Sequence, residues 1–303
     1  MKSSTQSFYD ELAASYHLIF ADWEASIRRQ GELLDTLIRA ELGRGPQDGV
    51  TVLDCSCGIG TQAIGLAARG YRVHATDLSP AAVERAGREA ERLGISITTG
   101  VADFRSLADQ VEGPPGGAGH RPDRAGDSLT GQFEVVLSFD NALPHLLTDD
   151  DLRLAARNIA ATTAPGGVFL ASIRDYDALI ETRPQFDGLR RMDGPDGPRI
   201  AFQMWEWDGD GARYTVHQFI LRATDLDAGV DPVPGVDLNI QVDPATGVDL
   251  NIQVDRKWIT EHYQTRYRAL RRAELERFLA EAGFGAIRWD MTGFYQPVVI
   301  ARR

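Results

Sequence analysis

The fold of this chain is decided by the segment Val52-Leu53-Asp54-Cys55-Ser56-Cys57-Gly58-Ile59-Gly60-Thr61, a glycine-bearing turn. The short apolar run before it, residues 50–54, is typical of a buried strand, and residues 61–69 suit a helix that Gly70 ends. Glycines let the backbone approach a ligand closely because no Cβ stands in the way. Backbone N–H groups at the start of the following helix favour an anionic group. The segment therefore predicts a ligand-binding strand-to-helix turn.

This turn differs from two common glycine-rich turns. Asp54 places an acid where a dinucleotide turn has none, which suits a cationic amine better than a pyrophosphate. No lysine follows Gly60, so the turn is not a phosphate-binding P-loop. On its glycines alone, a plain structural turn remains an alternative.

Strands alternate with helices along the first half of the chain. After residues 50–54, further strands are predicted at 71–77, 95–100, 133–139 and 168–173. The helices between them are predicted at 61–69, from Ser79-Pro80 onward and at 152–161, and residues 7–42 also have helical spacing. This order predicts an α/β fold: a Rossmann-like, mostly parallel sheet with helices on both faces.

The carboxyl half of the chain has a different pattern. Residues 199–207 and 214–222 alternate as strands do, and 273–282 form an amphipathic helix before strand-like residues near 289 and 296–301. The sequence therefore predicts an added antiparallel β lobe in this half. Both indoles of Trp205-Glu206-Trp207 would face one side of a strand, either as a substrate wall or as the core of the lobe.

Bulk composition excludes several classes of protein. The 303 residues are 43% hydrophobic and carry a net charge of −12, so a basic footprint for nucleic acid is absent. No apolar run is long enough to span a bilayer, and the first residues lack the apolar stretch of a signal peptide. Cys55 and Cys57, with no second Cys/His pair at metal spacing, are expected to be small buried thiols rather than a disulfide or a metal site. A cytoplasmic protein without a membrane partner or a metal is expected.

Two further acids follow predicted strands. Asp77 ends the second strand, about twenty residues after the glycines, where a carboxylate can accept hydrogen bonds from both hydroxyls of a ribose. Asp103-Phe104 follows the third strand, where an acid and an aromatic ring can hold an adenine by its amine and its face. Each has a structural alternative, as helix cap, turn or core residue. Three acids in order, each after a strand, favour a ligand with an adenosyl group and a cation.

This motif series resembles that of the class I S-adenosylmethionine (SAM)-dependent methyltransferases. The resemblance rests on residues 52–60, Asp77, Asp103-Phe104, 133–137 and 165–167, and it covers about residues 50–175. It implies SAM as the cofactor. The residues implied to bind it are Asp54, Cys55, Gly58, Gly60, Asp77, Leu78, Asp103, Phe104 and Phe139.

A narrower resemblance is to the glycine and glycine/sarcosine N-methyltransferases. It rests on residues 140–146 and 172–177, with further likeness at Tyr267 and 294–297. That family places an Asn and a His near the reacting methyl group and an Arg on the amino-acid carboxylate. The resemblance implies these roles for Asn141, His145 and Arg174. Asp140 stands where the family's glycine methyltransferase has a glycine, and this departure leaves the acceptor open.

The N-terminal residues resemble the lid of that family, in which an arginine binds the SAM carboxylate. Trp23 and Arg29 take those positions here, with Arg28 as an alternative to Arg29. The aromatic residues could instead form the packing face of the first helix. The candidate catalytic residues are Asn141, His145 and Tyr16, and the candidate substrate-binding residues are Arg174, Tyr176, Tyr267 and Tyr9.

These roles have physical reasons and alternatives. An amine must be neutral to attack a methyl group, so Asn141 and tyrosine hydroxyls would accept its hydrogens and orient its lone pair. His145 could take a proton or be a packed structural histidine. Arg174 could bind a carboxylate bidentately or form a structural ion pair.

The predicted organisation has four parts. Residues 1–48 are a helical lid, 49–175 the SAM-binding core, 176–270 a substrate lobe, and 271–303 a closing helix and strands. Residues 113–131 are expected to be a surface loop. Residues 235–243 return unchanged at 247–255, which suggests a hairpin insertion (235–255) that is either a tolerated surface expansion or an oligomer contact.

Three functions follow from these patterns. The first is a small-molecule N-methyltransferase acting on glycine, sarcosine or a related amino acid. The second is a natural-product methyltransferase acting on another N, O or C centre. The third is a SAM-binding protein without turnover. Fold resemblance does not fix the substrate.

Overall fold

The structure, a computed structural model, describes residues 4–111, 132–194, 197–224 and 257–303. Its helices are α1 (Ser4–Leu12), α2 (Trp23–Leu42), α3 (Thr61–Ala67), α4 (Pro80–Arg92), α5 (Leu107–Gln110), α6 (Asp149–Thr162), α7 (Tyr176–Thr182) and α8 (Arg272–Glu281). Its strands are β1 (Thr51–Asp54), β2 (Arg72–Asp77), β3 (Thr98–Val101), β4 (Phe133–Ser138), β5 (Thr163–Ser172), β6 (Phe186–Gly194), β7 (Gly197–Trp207), β8 (Arg213–Thr224), β9 (Lys257–Arg268), β10 (Gly285–Asp290) and β11 (Val298–Arg302).

The first sheet has seven strands in the order β10-β11-β5-β4-β1-β2-β3. Strands β1 to β5 are parallel to one another, whereas β11 pairs antiparallel with β5. Helices α2, α3 and α4 pack on one face, and α5, α6 and α8 on the other. The predicted Rossmann-like sheet with helices on both faces is confirmed. Because β1 to β5 run the same way, their carboxyl ends meet at one edge, where ligands bind in such sheets.

The second sheet is the antiparallel β lobe, in the order β6-β7-β8-β9. Trp205 is buried, and its Nε1 donates to Gln203 Oε1 at 3.1 Å. The indole of Trp207 stacks on Tyr214, with ring centroids 4.6 Å apart. Of the two interpretations of these indoles, the structure supports the packed core of the lobe.

The N-terminal residues are not one continuous helix, which corrects the expectation for residues 7–42. Helix α1 ends at Leu12, a 3₁₀ turn spans Tyr16–Ile19, and α2 starts at Trp23. The restart has a local cause, since the Asp22 carboxylate caps the helix by accepting from the N–H of Ala25 at 2.8 Å. We call residues 4–21 the lid segment.

Two arginines from different parts of the fold hold the lid segment by its backbone carbonyls. Arg85 on α4 donates from Nη1 to the carbonyl of Ala13 at 2.6 Å. Arg199 on β7 donates to the carbonyls of Leu18 at 3.0 Å and Phe20 at 2.7 Å. These bonds satisfy carbonyls that the interrupted helix leaves unpaired.

Several elements differ from the sequence expectations. Strands β6 and β9 and helices α5 and α7 were not predicted, and β3 begins three residues later than the predicted 95–100. Residues 113–131 and the duplication at 235–255 lie outside the described residues, and the four domain boundaries stay a prediction. Across the described residues, none of the helices is long and apolar enough to cross a membrane.

Candidate active site

A cavity of about 340 Å³ lies at the carboxyl edge of the parallel sheet, beneath the lid segment. It brings together many of the residues that the sequence singled out. Those among its lining are Tyr9, Tyr16, Cys55, Gly58, Asp77, Leu78, Asp103, Phe104, Phe139 and His145.

Asp54 ends β1 and is only 1% exposed. Its Oδ1 accepts from the N–H of Ser56 at 3.3 Å, whereas its Oδ2 has no hydrogen-bond partner among the described residues. Burial raises the pKa of this carboxyl to about 8; the Ser56 N–H opposes the shift, and the nearby Asp77 charge adds to it. A buried carboxylate oxygen without a partner is costly, so the site is suited to a cationic donor.

The two glycines of the turn have different environments. Gly58 has φ +51°, and a Cβ there would meet no atom within 4 Å, so its backbone is open to a ligand. Gly60 has φ +96°, and a Cβ would lie 2.9 Å from Ile64 Cδ1. Gly60 therefore allows the turn to pack against α3, and it is not among the residues lining the cavity. Its predicted contact with the cofactor stays a prediction.

Asp77 ends β2 with its carboxylate held by backbone amides. Oδ2 accepts from the N–H of Gly58 at 2.9 Å, and Oδ1 accepts from the N–H of Ser79 at 2.9 Å. Burial raises the pKa of Asp77, and these amides oppose that shift. Each oxygen keeps a lone pair, so the fixed carboxylate can accept from two neighbouring hydroxyls.

Asp103 at the third strand end is paired with an arginine that the sequence reasoning missed. Arg105 donates from Nη2 to Asp103 Oδ2 at 2.6 Å and from Nη1 to Asp151 Oδ1 at 3.1 Å. Despite partial burial, hydrogen bonding to Arg105 lowers the pKa of Asp103, which stays ionised. Phe104 and Phe139 present aromatic faces nearby in the same lining. This part of the cavity suits a flat heterocycle with an exocyclic amine.

These residues fit SAM. Asp77 would receive its ribose hydroxyls and Phe104 its adenine. Asp54 adjoins the lining residue Cys55 without lining the cavity itself, and its unpartnered Oδ2 would receive the ammonium group. The open backbone at Gly58 gives room for close approach.

The predicted SAM-binding residues Trp23 and Arg29, with Arg28 as the alternative to Arg29, lie away from the cavity, and Asp54 and Gly60 also lie outside its lining. Trp23 is buried, and its Nε1 donates to Thr61 Oγ1 at 2.9 Å, joining α2 to α3. Arg29 and Arg28 are exposed on α2, and none of the three lines the cavity. The predicted contact of an arginine with the SAM carboxylate therefore gains no support here.

His145 lies in the loop after β4 and joins the lid segment to the lobe. Its Nδ1 lies 3.2 Å from the carbonyl of Arg266, and its Nε2 lies 2.9 Å from the Tyr9 hydroxyl. Because a carbonyl can only accept, the ring proton belongs on Nδ1, and Nε2 accepts from Tyr9. Burial lowers the pKa of His145 to about 3, so the ring is neutral at neutral pH. This geometry supports the structural alternative for His145, as the residue that holds Tyr9.

Asn141 follows the cavity-lining Asp140 and is 1% exposed. Its Oδ1 accepts from the backbone N–H of Arg174 at 3.0 Å, which fixes the amide so that Nδ2 donates to the Tyr176 hydroxyl at 2.9 Å. Tyr176 is fully buried and lies 2.8 Å from the Tyr214 hydroxyl. Asn141 and Tyr176 thus hold Arg174 in place, and neither lines the cavity.

Arg174 is a buried cation with neutral partners. Nη1 donates to the Tyr214 hydroxyl at 2.9 Å, and Nη2 donates to Gln203 Oε1 at 2.8 Å. The guanidinium carbon lies 4.7 Å from the ring centre of Trp205 and 5.3 Å from that of Tyr267. No carboxylate among the described residues forms an ion pair with it. The alternative of a structural ion pair is therefore not supported; Gln203 and Tyr214 position this arginine, and the sequence analysis had identified neither.

Arg174 lies next to the cavity without lining it. Burial raises the pKa of the cavity-lining Tyr16, and the positive charge of Arg174 opposes that shift. Burial lowers the pKa of His145, which also lines the cavity, and the same charge adds to that shift. Tyr16 projects from the 3₁₀ turn, and no described residue forms a hydrogen bond with its hydroxyl. The part of the lining formed by Tyr9, Tyr16 and His145 is thus aromatic, and the guanidinium of Arg174 lies next to it. We call this part of the cavity, where the sequence analysis expects the methyl acceptor, the acceptor side.

Comparison with known proteins identifies the class. The family described as a methyltransferase domain matches residues 52–113. SAM-bound CalS10, an amino pentose methyltransferase from Micromonospora echinaspora, superposes with a TM-score of 0.58 at 16% identity, covering 91% of each chain. At that identity the likeness shows the fold alone. Residues 52–113 thus match a methyltransferase domain, in a chain that shares its fold with SAM-dependent methyltransferases.

Two curated relatives are more specific. The glycine/sarcosine N-methyltransferase of Parasynechococcus marenigrum is 27% identical over 160 residues, which are 53% of this chain and 48% of that one. The ubiquinone biosynthesis O-methyltransferase of Methylocella silvestris is 32% identical over 127 residues, which are 42% of this chain and 41% of that one. The chain thus spans about half the length, or less, of these relatives.

Proposed function

We propose that this protein transfers a methyl group from SAM to the amine of a small amino acid, with glycine, sarcosine or a close relative as the acceptor. The observation that supports this acceptor class is Arg174, a buried guanidinium whose side-chain partners are all neutral. Such a group retains its full attraction for an anion, because the low-dielectric surroundings screen it little. A carboxylate is the anion that matches its planar fork. The likeness to a glycine/sarcosine N-methyltransferase points the same way.

The cofactor half of the site would work through Asp54, Asp77 and the aromatic lining. Bound SAM would supply an electrophilic methyl group on a positively charged sulfur. The chain's task is to hold both reactants in line and to exclude water. The carboxylate of Asp77 would orient the cofactor without reorganising, since backbone amides already hold both of its oxygens. Asp54 would ionise as the cofactor's cation binds.

The lid segment would exclude water. Tyr9 bonds to His145 across the cavity, and Asp10 Oδ1 accepts from the Ser79 hydroxyl at 2.6 Å beside the Asp77 carboxylate. Tyr16 and Tyr9 line the cavity from the lid side. The Tyr16 hydroxyl is available to accept a hydrogen from the acceptor amine.

The test is product mass spectrometry with SAM labelled at the methyl group and a panel of glycine, sarcosine and other amines. Labelled methylglycine or dimethylglycine is the expected product. The Arg174→Lys enzyme should show a KM for the acceptor raised about 10-fold or more, because it loses the bidentate fork. Its affinity for S-adenosylhomocysteine (SAH), the demethylated cofactor, should stay within twofold.

An Asp187→Asn variant is the control, because Asp187 is exposed on β6 and away from the cavity. An unchanged acceptor KM in Arg174→Lys would remove this arginine from the site. Turnover of only carboxylate-free acceptors would favour a natural-product methyltransferase. Binding of SAH with no turnover of any acceptor would favour a protein that binds SAM without catalysis.

A further inference from the structure

Asp140 occupies an unusual backbone position directly after β4. Its φ is +57°, and that of the next residue, Asn141, is +67°. Two successive non-glycine residues in the left-handed region are uncommon, and glycine adopts that region at less cost. The position therefore retains a carboxylate where the backbone would favour a glycine.

The Asp140 carboxylate lines the cavity and is held from two sides. Oδ1 accepts from the Tyr295 hydroxyl, and Oδ2 accepts from Gln62 Nε2 at 3.0 Å. Gln62 is itself held by Gln30, whose Oε1 accepts from the same nitrogen at 2.8 Å. No arginine, lysine or histidine among the described residues forms an ion pair with Asp140. The carboxylate is thus oriented by neutral donors, as Arg174 is oriented by neutral partners.

Two groups of opposite charge lie near the acceptor side of the cavity, the carboxylate of Asp140 and the guanidinium of Arg174. Burial raises the pKa of Tyr16 and of Tyr267; the negative charge of Asp140 adds to each shift, and the positive charge of Arg174 opposes it. Tyr16 lines the cavity together with Asp140, and the ring centre of Tyr267 lies 5.3 Å from the guanidinium carbon of Arg174. Among the described residues, the titratable groups that interact with Asp140 are Asp54 on β1, Tyr16 on the lid segment, Tyr267 on β9 and Tyr295 before β11.

We propose that the Asp140 carboxylate binds the ammonium group of the acceptor and removes one of its protons, while Arg174 binds the carboxylate at the other end. This inference rests on the proposed function and names its substrate class, a zwitterionic amino acid. In the proton transfer, one N–H bond of the ammonium breaks and one O–H bond forms on Asp140. The electron pair of the broken bond stays on nitrogen as the lone pair that attacks. Asp140 is then a catalytic residue.

The burial of Asp140 favours this proton transfer. Burial raises the pKa of Asp140, although the bonds from Tyr295 and Gln62 oppose the shift. A carboxylate with a raised pKa is a better proton acceptor at neutral pH. Tyr295 is 63% exposed, so the carboxylate is bonded to a residue that reaches solvent.

The experiment compares glycine with acetate, which lacks the amine, as ligands of the protein–SAH complex. Calorimetry gives both dissociation constants without turnover. The wild-type complex should bind glycine about 10-fold or more tighter than acetate, since a hydrogen bond between charged groups supplies that difference. Asp140→Asn and Asp140→Gly should lose this preference and keep their affinity for acetate and for SAH within twofold.

The two substitutions separate the carboxylate from the backbone. Glycine relieves the left-handed conformation and asparagine keeps it, so agreement between them assigns the effect to the lost charge. In Asp140→Asn, kcat/KM for glycine should rise about tenfold per pH unit above neutrality, because only the already neutral amine reacts. The wild-type profile should be flatter, and Asp187→Asn should follow the wild type.

The outcomes are distinct. A glycine preference that survives in both variants, with an unchanged pH profile, overturns the role of Asp140 and leaves the proposed function intact. A wild-type SAH complex that binds neither glycine nor any other amine of the panel overturns both. Failure to bind SAH overturns the cofactor assignment itself.

Discussion

Replacing Asp54 by asparagine should make the ligand-free protein less sensitive to pH while weakening its hold on the cofactor. Asparagine has nearly the shape of a protonated carboxyl group, and its oxygen can still accept from the Ser56 N–H. What it loses is the ability to ionise. The change therefore isolates the charge of a group that is 1% exposed and has an unpartnered oxygen.

The size and sign of the effect follow from linkage. Because burial raises the Asp54 pKa from 3.8 to about 8, the folded protein keeps a proton that the unfolded chain has lost over that range. The free energy of unfolding should therefore fall as pH rises, by about 1.4 kcal/mol per pH unit from this group alone. Between pH 5.5 and 7.5, a window of about two units, the wild type should lose about 2–3 kcal/mol relative to Asp54→Asn.

Urea unfolding of both proteins at several pH values measures this difference directly. The m-value should be the same for both, so that the midpoints report stability. Titration with SAH gives the second half of the result. Loss of a charge-assisted hydrogen bond to the ammonium should raise the dissociation constant about 10- to 100-fold. Below pH 8, wild-type binding should also release a proton, because the ligand's ammonium favours the ionised carboxylate.

Parallel stability curves for the two proteins between pH 5.5 and 7.5 would contradict the protonated state of Asp54. Equal SAH affinities would contradict its contact with the ammonium group. Asp187→Asn removes an exposed carboxylate and serves as the control for net charge. It should leave both measurements unchanged within error.

Three other substitutions test separate parts of the structure. Asp77→Ala should raise the SAH dissociation constant about 100-fold or more and also lower stability by about 1–3 kcal/mol, because the N–H groups of Gly58 and Ser79 lose their acceptor; calorimetry and urea unfolding measure the two effects, and wild-type affinity would refute the ribose contact. Gly60→Ala should destabilise the fold by about 1–3 kcal/mol, since φ +96° and a 2.9 Å approach to Ile64 both oppose a methyl group; an unchanged thermal midpoint would argue against this packing role. Arg199→Lys should speed hydrogen exchange in the lid segment and raise the SAH dissociation rate several-fold, and unchanged exchange there would show that the arginine does not restrain it.

The strand ends beside the cavity were predictable because their signals are local. Asp54 and Asp77 each end an apolar run, Gly58 follows the first of these, and parallel strands bring such ends to one edge of the sheet. The order of strands and helices was thus enough to predict that they lie together; their contact with the cofactor stays a prediction. Gly60 shows the limit of this reasoning, since the sequence cannot distinguish a glycine that faces a ligand from one that packs against a helix.

The surroundings of Arg174 and Asp140 were not predictable, because they depend on contacts between residues that are distant in sequence. Tyr214 and Gln203 hold Arg174 from a different sheet, and Tyr295 reaches Asp140 from the other end of the chain. No spacing rule links such residues, because the pairing of two sheets decides which side chains meet. The helix predicted for residues 7–42 is interrupted before α2, where Asp22 caps a new helix. This cap is a local signal, but the helical spacing of the whole stretch had obscured it.

Arg85 and Arg199, which donate to backbone carbonyls of the lid segment, have a consequence for ligand binding. Arg85 lies on helix α4, which packs on the seven-stranded sheet, and Arg199 lies on the β lobe, so a single short stretch of chain is anchored to both. Two ligands that both bind better while this stretch is in place raise each other's affinity by the same factor, because the coupling is reciprocal. Positive cooperativity between two such ligands is therefore the expected consequence of this anchoring.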